Sequence, residues 1–258
     1  MPLIGNIEDL KFRYAYEGGK PAPGQPMAID TPYMEVRVIV LEPGVYPPYH
    51  AHHTGIDEGY LIHRGSGLIH NSGETFEVRE GNVLLNPRGG MHHMKNVGEG
   101  ELIEFNFRGG RMPSEFNLPE GDPPPNPDPE TVGNLTPPPV PYVLGNVEEM
   151  INPFDEATVQ QKGLPMAIAT EHLELRIVSF APGDMPPVHR HHKELDEATL
   201  ILKGRLTYII EGEALELGPG DLAHVPGGLW HQAKNESSEE CAFFNFAGGK
   251  LPVRTEWK

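Results

Sequence analysis

Short apolar stretches separated by turns run along the whole chain. The stretches EVRVIVL at 35–41 and LELRIVSF at 173–180 have the β-branched, apolar content of strands. Glycine and proline, with 30 and 28 copies in the chain, punctuate the sequence between such stretches, while helical periodicity is limited to short pieces such as 147–151. The pattern predicts an all-β protein with many corners. Further strands are predicted at 58–64, 68–71, 75–78, 83–85, 101–107 and 198–202.

Residues 26–110 and 165–249 are two copies of one unit. They align at a constant offset of 139 without a gap, and 34 of the 85 positions are identical. A leading segment repeats at an offset of 140, as IGNIE at 4–8 and LGNVE at 144–148. One structural unit used twice therefore explains most of the chain. We expect each copy to begin with an arm that packs either on its own unit or on the other one.

The repeat divides the chain into an N-terminal unit at 1–110, a linker at 111–141 and a C-terminal unit at 142–258. The linker is dense in proline and acidic residues and poor in large apolar ones. Proline lacks a backbone donor and fixes φ, so the segment is predicted to be an extended, semi-rigid connection.

Histidines at equal places in both copies indicate metal sites. His189 and His191 are two residues apart, so on a strand both imidazoles leave the same face and can converge on one ion. Glu197 opens the next strand, and His231 follows a turn containing Pro226 and Gly228. The predicted metal ligands of the two copies are His50, His52, Glu58 and His92, and His189, His191, Glu197 and His231.

The neighbouring histidines leave an alternative open. His53 and His192 are the alternatives to His52 and His191, although each needs a bulge in order to turn inward. Imidazole and carboxylate donors suit a borderline or hard divalent ion. We therefore expect one divalent transition metal in each copy, with iron, manganese, nickel and zinc all left open.

The motifs around these residues resemble those of the cupin family. The first motif, G-x5-H-x-H followed by Glu, six residues and Gly, begins at Gly44 and at Gly183; the second, G-x5-P-x-G-x2-H-x3-N, begins at Gly81 and at Gly220. Five residues separate the second histidine from the glutamate, where the family usually has three or four. The resemblance implies two tandem cupin barrels, each a double-stranded β-helix or jelly roll, in the arrangement called a bicupin.

The resemblance extends to bicupin dioxygenases, which carry three histidines and one glutamate in each half. It implies an enzyme that binds a small oxygen-rich or aromatic molecule at the metal and reacts it with O2. A non-oxidative isomerase, cyclase, decarboxylase or aminohydrolase is the second hypothesis, and a non-catalytic binding protein is the third. The paired barrels also resemble the dimer of a single-cupin protein, and further homo-oligomerisation is left open.

Differences between the copies mark candidate substrate contacts. Glu104 aligns with Phe243, which predicts a more polar first site and a drier second site. Either His70 or Glu104 is a candidate general acid or base if its side chain points inward. For Arg37 and Arg176, an ion pair with a carboxylate on a neighbouring strand is the alternative to a substrate anion. The residues predicted to contact substrate are Arg37, His70, Arg176 and Trp230.

Charge and composition exclude other classes of partner. The net charge of −17 disfavours binding to nucleic acid or to an anionic membrane surface. Cys241 is the single cysteine and lies in an apolar stretch, so no disulfide framework is expected. The sequence has neither a run of about 18 apolar residues nor a basic segment followed by an apolar core near its start. We therefore expect a cytoplasmic protein whose partner is a small-molecule substrate.

Overall fold

The computed structural model describes residues 3–17, 20–21, 25–52, 55–71, 74–86, 89–110, 112, 143–156, 166–249, 251 and 255–258. Over these residues the chain is almost entirely β-strand with two short helices, which confirms the all-β prediction. No helix in this part of the chain is long and apolar enough to cross a membrane. The chain forms two compact units. The N-terminal unit comprises Lys11–Asp30 and Glu35–Val147, and the C-terminal unit comprises Met1–Leu10, Thr31–Met34 and Glu148–Lys258.

Twenty-four strands and two helices are described. In chain order they are β1 (Leu3–Asn6), α1 (Ile7–Leu10), β2 (Phe12–Arg13), β3 (Tyr16–Glu17), β4 (Lys20–Pro21), β5 (Ile29–Asp30), β6 (Met34–Leu41), β7 (Ile56–Arg64), β8 (Ser66–Asn71), β9 (Glu74–Arg79), β10 (Asn82–Asn86), β11 (His92–Asn96), β12 (Leu102–Gly110), β13 (Val143–Asn146), α2 (Val147–Met150), β14 (Asn152–Pro153), β15 (Ile168–Ala169), β16 (Leu173–Phe180), β17 (His189–His191), β18 (Leu195–Lys203), β19 (Leu206–Ile210), β20 (Glu213–Leu217), β21 (Asp221–Val225), β22 (His231–Lys234), β23 (Cys241–Gly249) and β24 (Thr255–Trp257).

Each unit contains one large sheet and one smaller sheet. In the N-terminal unit the large sheet has the order β13-β10-β7-β12-β6-β2 with β5 also on β6, the smaller sheet is β11-β8-β9, and β3 pairs with β4. In the C-terminal unit the corresponding orders are β1-β21-β18-β23-β16-β14, with β15 on β16, and β20-β19-β22-β17-β24. The two copies therefore have matching topologies, as their sequence repeat requires.

The core of each unit lies among apolar side chains contributed by both of its sheets. In the N-terminal unit, Ile62 on β7 and Leu84 on β10 cluster with Ile69 on β8 and Met94 on β11. The C-terminal core is richer in aromatic rings, and it includes Phe180, Tyr208 and Phe243 with Phe154 packed against them. Burial of this apolar surface is the main term that stabilises each unit.

Glycines of the first motif are required by close contacts between strands. Gly65 joins β7 to β8 with φ of +87°, and a Cβ at this position would collide with the carbonyl oxygen of Glu101. Its copy Gly204 has φ of +73° and lies against the carbonyl oxygen of Glu240 in the same way. Only glycine meets both requirements, namely a left-handed backbone and no side chain.

The leading arms complete the sheet of the opposite copy. Strand β1 pairs antiparallel with β21, where Asn6 donates a hydrogen bond of 2.9 Å to Asp221 Oδ1 and the amide of Ile7 donates one of 2.7 Å to Gly220 O. Strand β13 pairs with β10, and the amide of Val147 bonds to Gly81 O at 2.7 Å. Each arm thus covers an edge strand of a sheet that belongs to the other repeat.

This exchange corrects the predicted boundaries at both ends. The prediction assigned all of 1–110 to the first unit and all of 142–258 to the second, whereas residues 1–10 belong with the C-terminal unit and residues up to Val147 with the N-terminal unit. The physical reason is strand pairing, because the backbone donors and acceptors of each arm are satisfied by the other repeat. The predicted linker, apart from Met112, lies outside the described residues.

Ile7 and Val147 offer a matched test of the exchanged arms, because both are buried and occupy equal places in the repeat. We predict that Ile7→Ala destabilises the C-terminal unit by about 2 kcal/mol or more, and that amide hydrogen exchange then rises first in β21. Val147→Ala is expected to raise exchange in β10 instead. Faster exchange in β10 for Ile7→Ala, with β21 unchanged, would contradict the observed pairing.

Candidate metal centres

Three imidazoles converge in the N-terminal unit. His50 forms an isolated bridge with His92, the first residue of β11, and His52 follows two residues later on the same side of the chain. The ring centroid of His50 lies 5.0 Å from that of His52 and 4.4 Å from that of His92. One nitrogen from each ring lies within 4.8 Å of the other two. The predicted convergence of these three histidines is therefore observed.

Backbone carbonyls fix the tautomers of two of these rings. His50 Nδ1 lies 2.8 Å from Pro48 O, and His92 Nδ1 lies 2.8 Å from Gly90 O. A carbonyl oxygen only accepts, so in both rings Nδ1 carries the proton and donates it. Burial lowers the pKa of His50 well below its ordinary value, and the neighbouring His92 lowers it further. This tautomer leaves Nε2 as the nitrogen whose lone pair can ligate a metal.

Glu58 on β7 completes the cluster. Its Oε2 lies 2.8 Å from His92 Nε2, and its Oε1 lies 3.5 Å from His52 Nε2. Burial alone would raise the pKa of Glu58, but Arg108 and the imidazoles hold it well below its usual range. An ionised carboxylate facing imidazole lone pairs is stable only when a cation lies between them, either a proton or a metal ion. The donor set therefore fits a divalent metal.

Four protein donors hold the carboxylate of Glu58 in place. Arg108 Nε donates to Oε1 at 2.6 Å, and Asn106 Nδ2 donates to the same oxygen at 2.8 Å. Tyr60 Oη donates to Oε2 at 2.7 Å, and Asn86 Nδ2 does so at 3.1 Å. Such contacts fix the orientation of a ligating carboxylate and reduce its negative charge.

The C-terminal unit repeats the arrangement of three imidazoles. Ring centroids of His189 and His231 are 4.3 Å apart, and those of His189 and His191 are 5.1 Å apart. Nδ1 of His189 lies 2.9 Å from Pro187 O and Nδ1 of His231 lies 3.0 Å from Leu229 O, so the same tautomers follow. Burial lowers the pKa of His189 to about 4, with His231 as the next cause. One nitrogen from each of the three rings again lies within 4.8 Å of the others.

Glu197 on β18 takes the place of Glu58, but its surroundings differ. Its Oε2 lies 3.0 Å from His191 Nε2, its Oε1 lies 3.6 Å from His231 Nε2, and Tyr208 Oη donates to Oε1 at 2.7 Å. Burial would raise the pKa of Glu197, and the imidazoles, His191 first, hold it well below its ordinary value. Three donors of the first site are replaced here, since Tyr60, Asn86 and Arg108 align with Thr199, Val225 and Ala247.

His191 rather than its neighbour faces the glutamate. The side chain of His192 is 37% exposed, and its Nδ1 accepts a hydrogen bond of 3.1 Å from the amide of Glu194. The choice of His191 over His192 therefore agrees with the geometry. In the first unit the corresponding choice cannot be compared, because His53 lies outside the described residues.

A cavity of about 300 Å³ reaches the first cluster from within the N-terminal unit. Arg37 on β6, His50, Glu104 on β12 and Arg108 line it, together with apolar side chains that include Met94. Arg37, a predicted substrate contact, and Glu104, a candidate general acid or base, therefore line one cavity beside the histidine cluster. A small molecule in this cavity would lie against both the histidine cluster and these charged or acidic groups.

His70, predicted to contact substrate, is not among the residues that line this cavity. Its Nδ1 lies 2.8 Å from Thr75 Oγ1, and its ring lies 5.4 Å from that of Tyr49 and 6.1 Å from that of His93. Burial lowers its pKa. His70 on β8 pairs with His93 on β11, and its ring lies among those of Tyr49 and His93.

Of the two predicted substrate contacts in the second unit, Arg176 forms an ion pair and Trp230 lies beside the histidine cluster. Arg176 donates a hydrogen bond of 2.6 Å to Glu174 Oε2, which is an ion pair with a carboxylate of its own strand. Trp230 lines a cavity of about 310 Å³ beside His231, and the Arg190 guanidinium lies 4.7 Å from its ring centroid. Phe243 packs edge-on to Phe180 in the core with ring centroids 4.9 Å apart.

Sequence reasoning missed the network of Arg108, Asn86 and Tyr60 around Glu58. The differences between the copies at these positions were the available signal, because each residue is polar in the first copy and apolar or shorter in the second. Their convergence depends on pairing between β7, β10 and β12, which brings Tyr60 opposite Asn106 and Asn86 opposite Glu58.

Each unit is thus an antiparallel β structure that holds three imidazoles and a carboxylate around one point. The chain belongs to the cupin domain family, whose family model matches residues 37–105 and 176–246. Both copies are matched separately, which confirms the prediction of two tandem cupin domains.

The chain is similar to relatives of known name in sequence or in structure. Quercetin 2,3-dioxygenase of Bacillus subtilis (strain 168) is 32% identical over 100 residues, which are 38% of this chain and 28% of that protein, so less than a third of the relative's length is spanned. The crystal structure of a salicylate 1,2-dioxygenase from Pseudaminobacter salicylatoxidans superposes with a TM-score of 0.64 at 15% identity, over 89% of this chain and 76% of that one. A cupin 2 conserved barrel domain protein from Leptotrichia buccalis gives 0.56 at 16% identity, over 87% and 88%.

Glu104 provides a test of the electrostatics of the first unit. Burial, and then the nearby Glu58, raise the pKa of Glu104 from 4.5 to about 8, although Arg108 opposes this. The folded state therefore holds this proton more tightly than the unfolded chain, and stability falls as the pH rises from 4.5 to about 8.

We predict that Glu104→Gln, which removes this titration, leaves the unfolding free energy of the metal-free protein near the wild-type value at about pH 5. At about pH 8.5 the variant is expected to be more stable by at least about 1 kcal/mol, since one pKa unit corresponds to roughly 1.4 kcal/mol. Urea denaturation at both pH values measures the difference. A variant that is less stable at the higher pH would show that Glu104 is ionised in the folded protein.

Proposed function

We propose that the chain is a metal-dependent enzyme of the dioxygenase type, which acts on a small oxygen-rich or aromatic molecule. The observation that carries this proposal is the cavity that joins the cluster of His50, His52 and His92 to Arg37 and Glu104 in one unit. Metal-ligating side chains and a buried acid of raised pKa around one cavity are features typical of a catalytic site.

Each unit holds one divalent metal ion in this proposal. His50, His52, His92 and Glu58 bind it in the N-terminal unit, and His189, His191, His231 and Glu197 bind it in the C-terminal unit. Iron, manganese, nickel and zinc all accept these donors, so the donor set does not select among them. A bound ion supplies a Lewis acid for substrate oxygen atoms and, if it is redox-active, a binding point for O2.

Residues of the chain prepare the site around the ion. Arg108 and its neighbours hold the carboxylate of Glu58 in one orientation, which fixes one ligand without help from the substrate. Met94 and Ile39 line the cavity with apolar surface and limit the water around the reacting groups. Arg37 attracts a negatively charged or oxygen-rich substrate toward the cluster.

The activities for which the relatives are named support the type of reaction. One relative in sequence is a quercetin 2,3-dioxygenase, and one in structure is a salicylate 1,2-dioxygenase. Both names describe dioxygenases of aromatic molecules. The substrate is proposed here only as a class, and the chain is proposed to act in the cytoplasm on that substrate, with neither nucleic acid nor membrane as a partner.

Glu104 favours a second candidate function, namely a non-oxidative isomerase, cyclase, decarboxylase or aminohydrolase. A buried acid whose pKa is raised to about 8 is suited to proton transfer near neutral pH. In that case the ion serves only to polarise a substrate carbonyl, and turnover continues without O2.

Separate substitution of the two clusters tests the proposed function. The protein is loaded with Fe(II), Mn(II), Ni(II) or Zn(II), and oxygen uptake is followed with quercetin and with salicylate as trial substrates. We expect about two ions per chain in the wild type and about one in His50→Ala and in His189→Ala, since one ligand set is broken in each. Oxygen uptake is expected to disappear in His50→Ala and to persist in His189→Ala.

Two outcomes would contradict this account. Loss of uptake in His189→Ala with full uptake in His50→Ala would move the reaction to the C-terminal unit. Turnover of a substrate under strict anaerobiosis, with no oxygen consumed in air, would favour the non-oxidative candidate instead.

A further inference from the structure

Arg37 and Glu104 face the same cavity from neighbouring strands, β6 and β12. Glu104 is 3% exposed, and its Oε2 has no hydrogen-bond partner among the described residues. Arg37 Nε is also buried without a hydrogen-bond partner there, and Arg37 Nη2 lies 3.9 Å from Glu35 Oε2. A buried polar atom that lacks a partner is costly unless a ligand satisfies it.

The charges around Arg37 and Glu104 favour a negatively charged ligand. The second guanidinium of the region, Arg108, is already engaged by Glu58 at 2.6 Å and by Glu35 at 3.3 Å. Burial, followed by Arg108, lowers the pKa of Arg37 to about 10, so Arg37 remains charged near neutral pH. Glu104, whose pKa is about 8, is mostly protonated there and does not cancel that charge. A divalent ion on the histidines would make the cavity more positive still.

We propose that Arg37 and Glu104 together bind the carboxylate of a small organic monoanion, with Arg37 supplying the charge and Glu104, in its neutral form, donating a hydrogen bond. The inference rests on the proposed function, since it takes this cavity as the substrate site. It adds the chemical class of the substrate and gives Glu104 a binding role.

The dimensions and lining of the cavity suit such a ligand. About 300 Å³ is at the lower end of the volumes of small-molecule sites, which fits a ligand built on one substituted ring. Met27, Ile39 and Met94 supply apolar surface for the body of the molecule. With its carboxylate at Arg37, the molecule would extend toward His50, where a hydroxyl or keto oxygen would meet the metal.

The C-terminal unit lacks both halves of this binding site. Phe243 replaces Glu104 and packs against Phe180, while Arg176 replaces Arg37 and donates to Glu174 at 2.6 Å. The carboxylate site is therefore a property of the first copy alone. This difference also supplies a matched control, because Arg176 is the same residue type at the same place in the repeat.

Three ligands of nearly equal shape and different charge test the inference. Benzoate, benzamide and benzylamine are titrated into the metal-loaded protein by isothermal calorimetry, without O2 and without turnover. We expect saturable benzoate binding, with benzamide and benzylamine weaker by about tenfold or more, because only benzoate pairs its charge with Arg37. Equal affinity for benzamide, tighter binding of benzylamine or no benzoate binding at millimolar concentration would each overturn the inference.

Substitutions then assign the binding to the two residues. Arg37→Gln is expected to weaken benzoate by about tenfold or more, and Arg176→Gln to leave it unchanged. Glu104→Gln keeps a neutral donor and is expected to remain within about threefold of wild type, whereas Glu104→Phe, the residue of the other copy, loses binding. Unchanged affinity in Arg37→Gln, or a loss of tenfold or more in Glu104→Gln, would refute the assignment.

Metal content and circular dichroism of each variant establish that it is folded and loaded. Ligand-observed NMR at the same pH repeats the comparison for any variant too dilute for calorimetry.

Failure of this inference is distinct from failure of the proposed function. A chain that binds two metal ions and consumes O2 with an uncharged substrate, yet ignores benzoate, retains the function and loses the carboxylate site.

Discussion

The structure depends on a buried carboxylate set against imidazole lone pairs. Glu58 and Glu197 are ionised in the interior of their units. Glu58 lies 2.8 Å from Nε2 of His92 and Glu197 lies 3.6 Å from Nε2 of His231, and each of these nitrogens carries a lone pair in the tautomer that the backbone carbonyls fix. Burial of such groups without a cation between them is unfavourable. The strands nevertheless hold them together, because backbone carbonyls orient the rings and strand pairing fixes the glutamate. The sites are therefore built for a cation, and the fold provides the rigidity that keeps the donors in place.

The two copies use this plan differently. In the N-terminal unit, Arg108 and three neutral donors hydrogen-bond to the carboxylate of Glu58. The same unit contains a cavity lined by Arg37 and Glu104. The corresponding part of the second copy contains Phe180 and Phe243, so aromatic packing replaces the acid. Duplication allows this divergence, since one copy can retain a well-packed metal site while the other acquires polar groups for a substrate. Stability and chemistry are thereby distributed between two related units.

Much of this could be predicted from the sequence, because it follows from local rules. Residues two apart on a strand share a face, which placed His50 with His52 and His189 with His191, and the constant offset transferred each residue to the other copy. The glycine at the end of β7 was marked by its motif, and Gly65 indeed requires a left-handed backbone. These features depend on spacing along one strand or turn.

What could not be predicted depends on contacts between distant strands. The repeat of Ile7 at Val147 showed that an arm exists, yet either unit offers an edge of matching shape, so the exchange was not determined by the pattern. The position of His70 on β8 is predictable, but its contacts with Thr75 and with the ring of Tyr49 depend on strand pairing and on a distant segment. Arg108 reaches Glu58 only through the register of β12 on β7. Register is a property of the paired sheet and is not visible in one strand.

Anomalous X-ray diffraction from crystals of the metal-loaded protein, collected at the absorption edge of the metal, tests the central claim most directly. The account predicts two anomalous peaks per chain, each about 2.0–2.2 Å from three imidazole Nε2 atoms and one glutamate oxygen. One peak would lie among His50, His52, His92 and Glu58, and the other among His189, His191, His231 and Glu197. Loaded crystals with no peak at either cluster, and with the glutamates held only by protonated imidazoles, would contradict it.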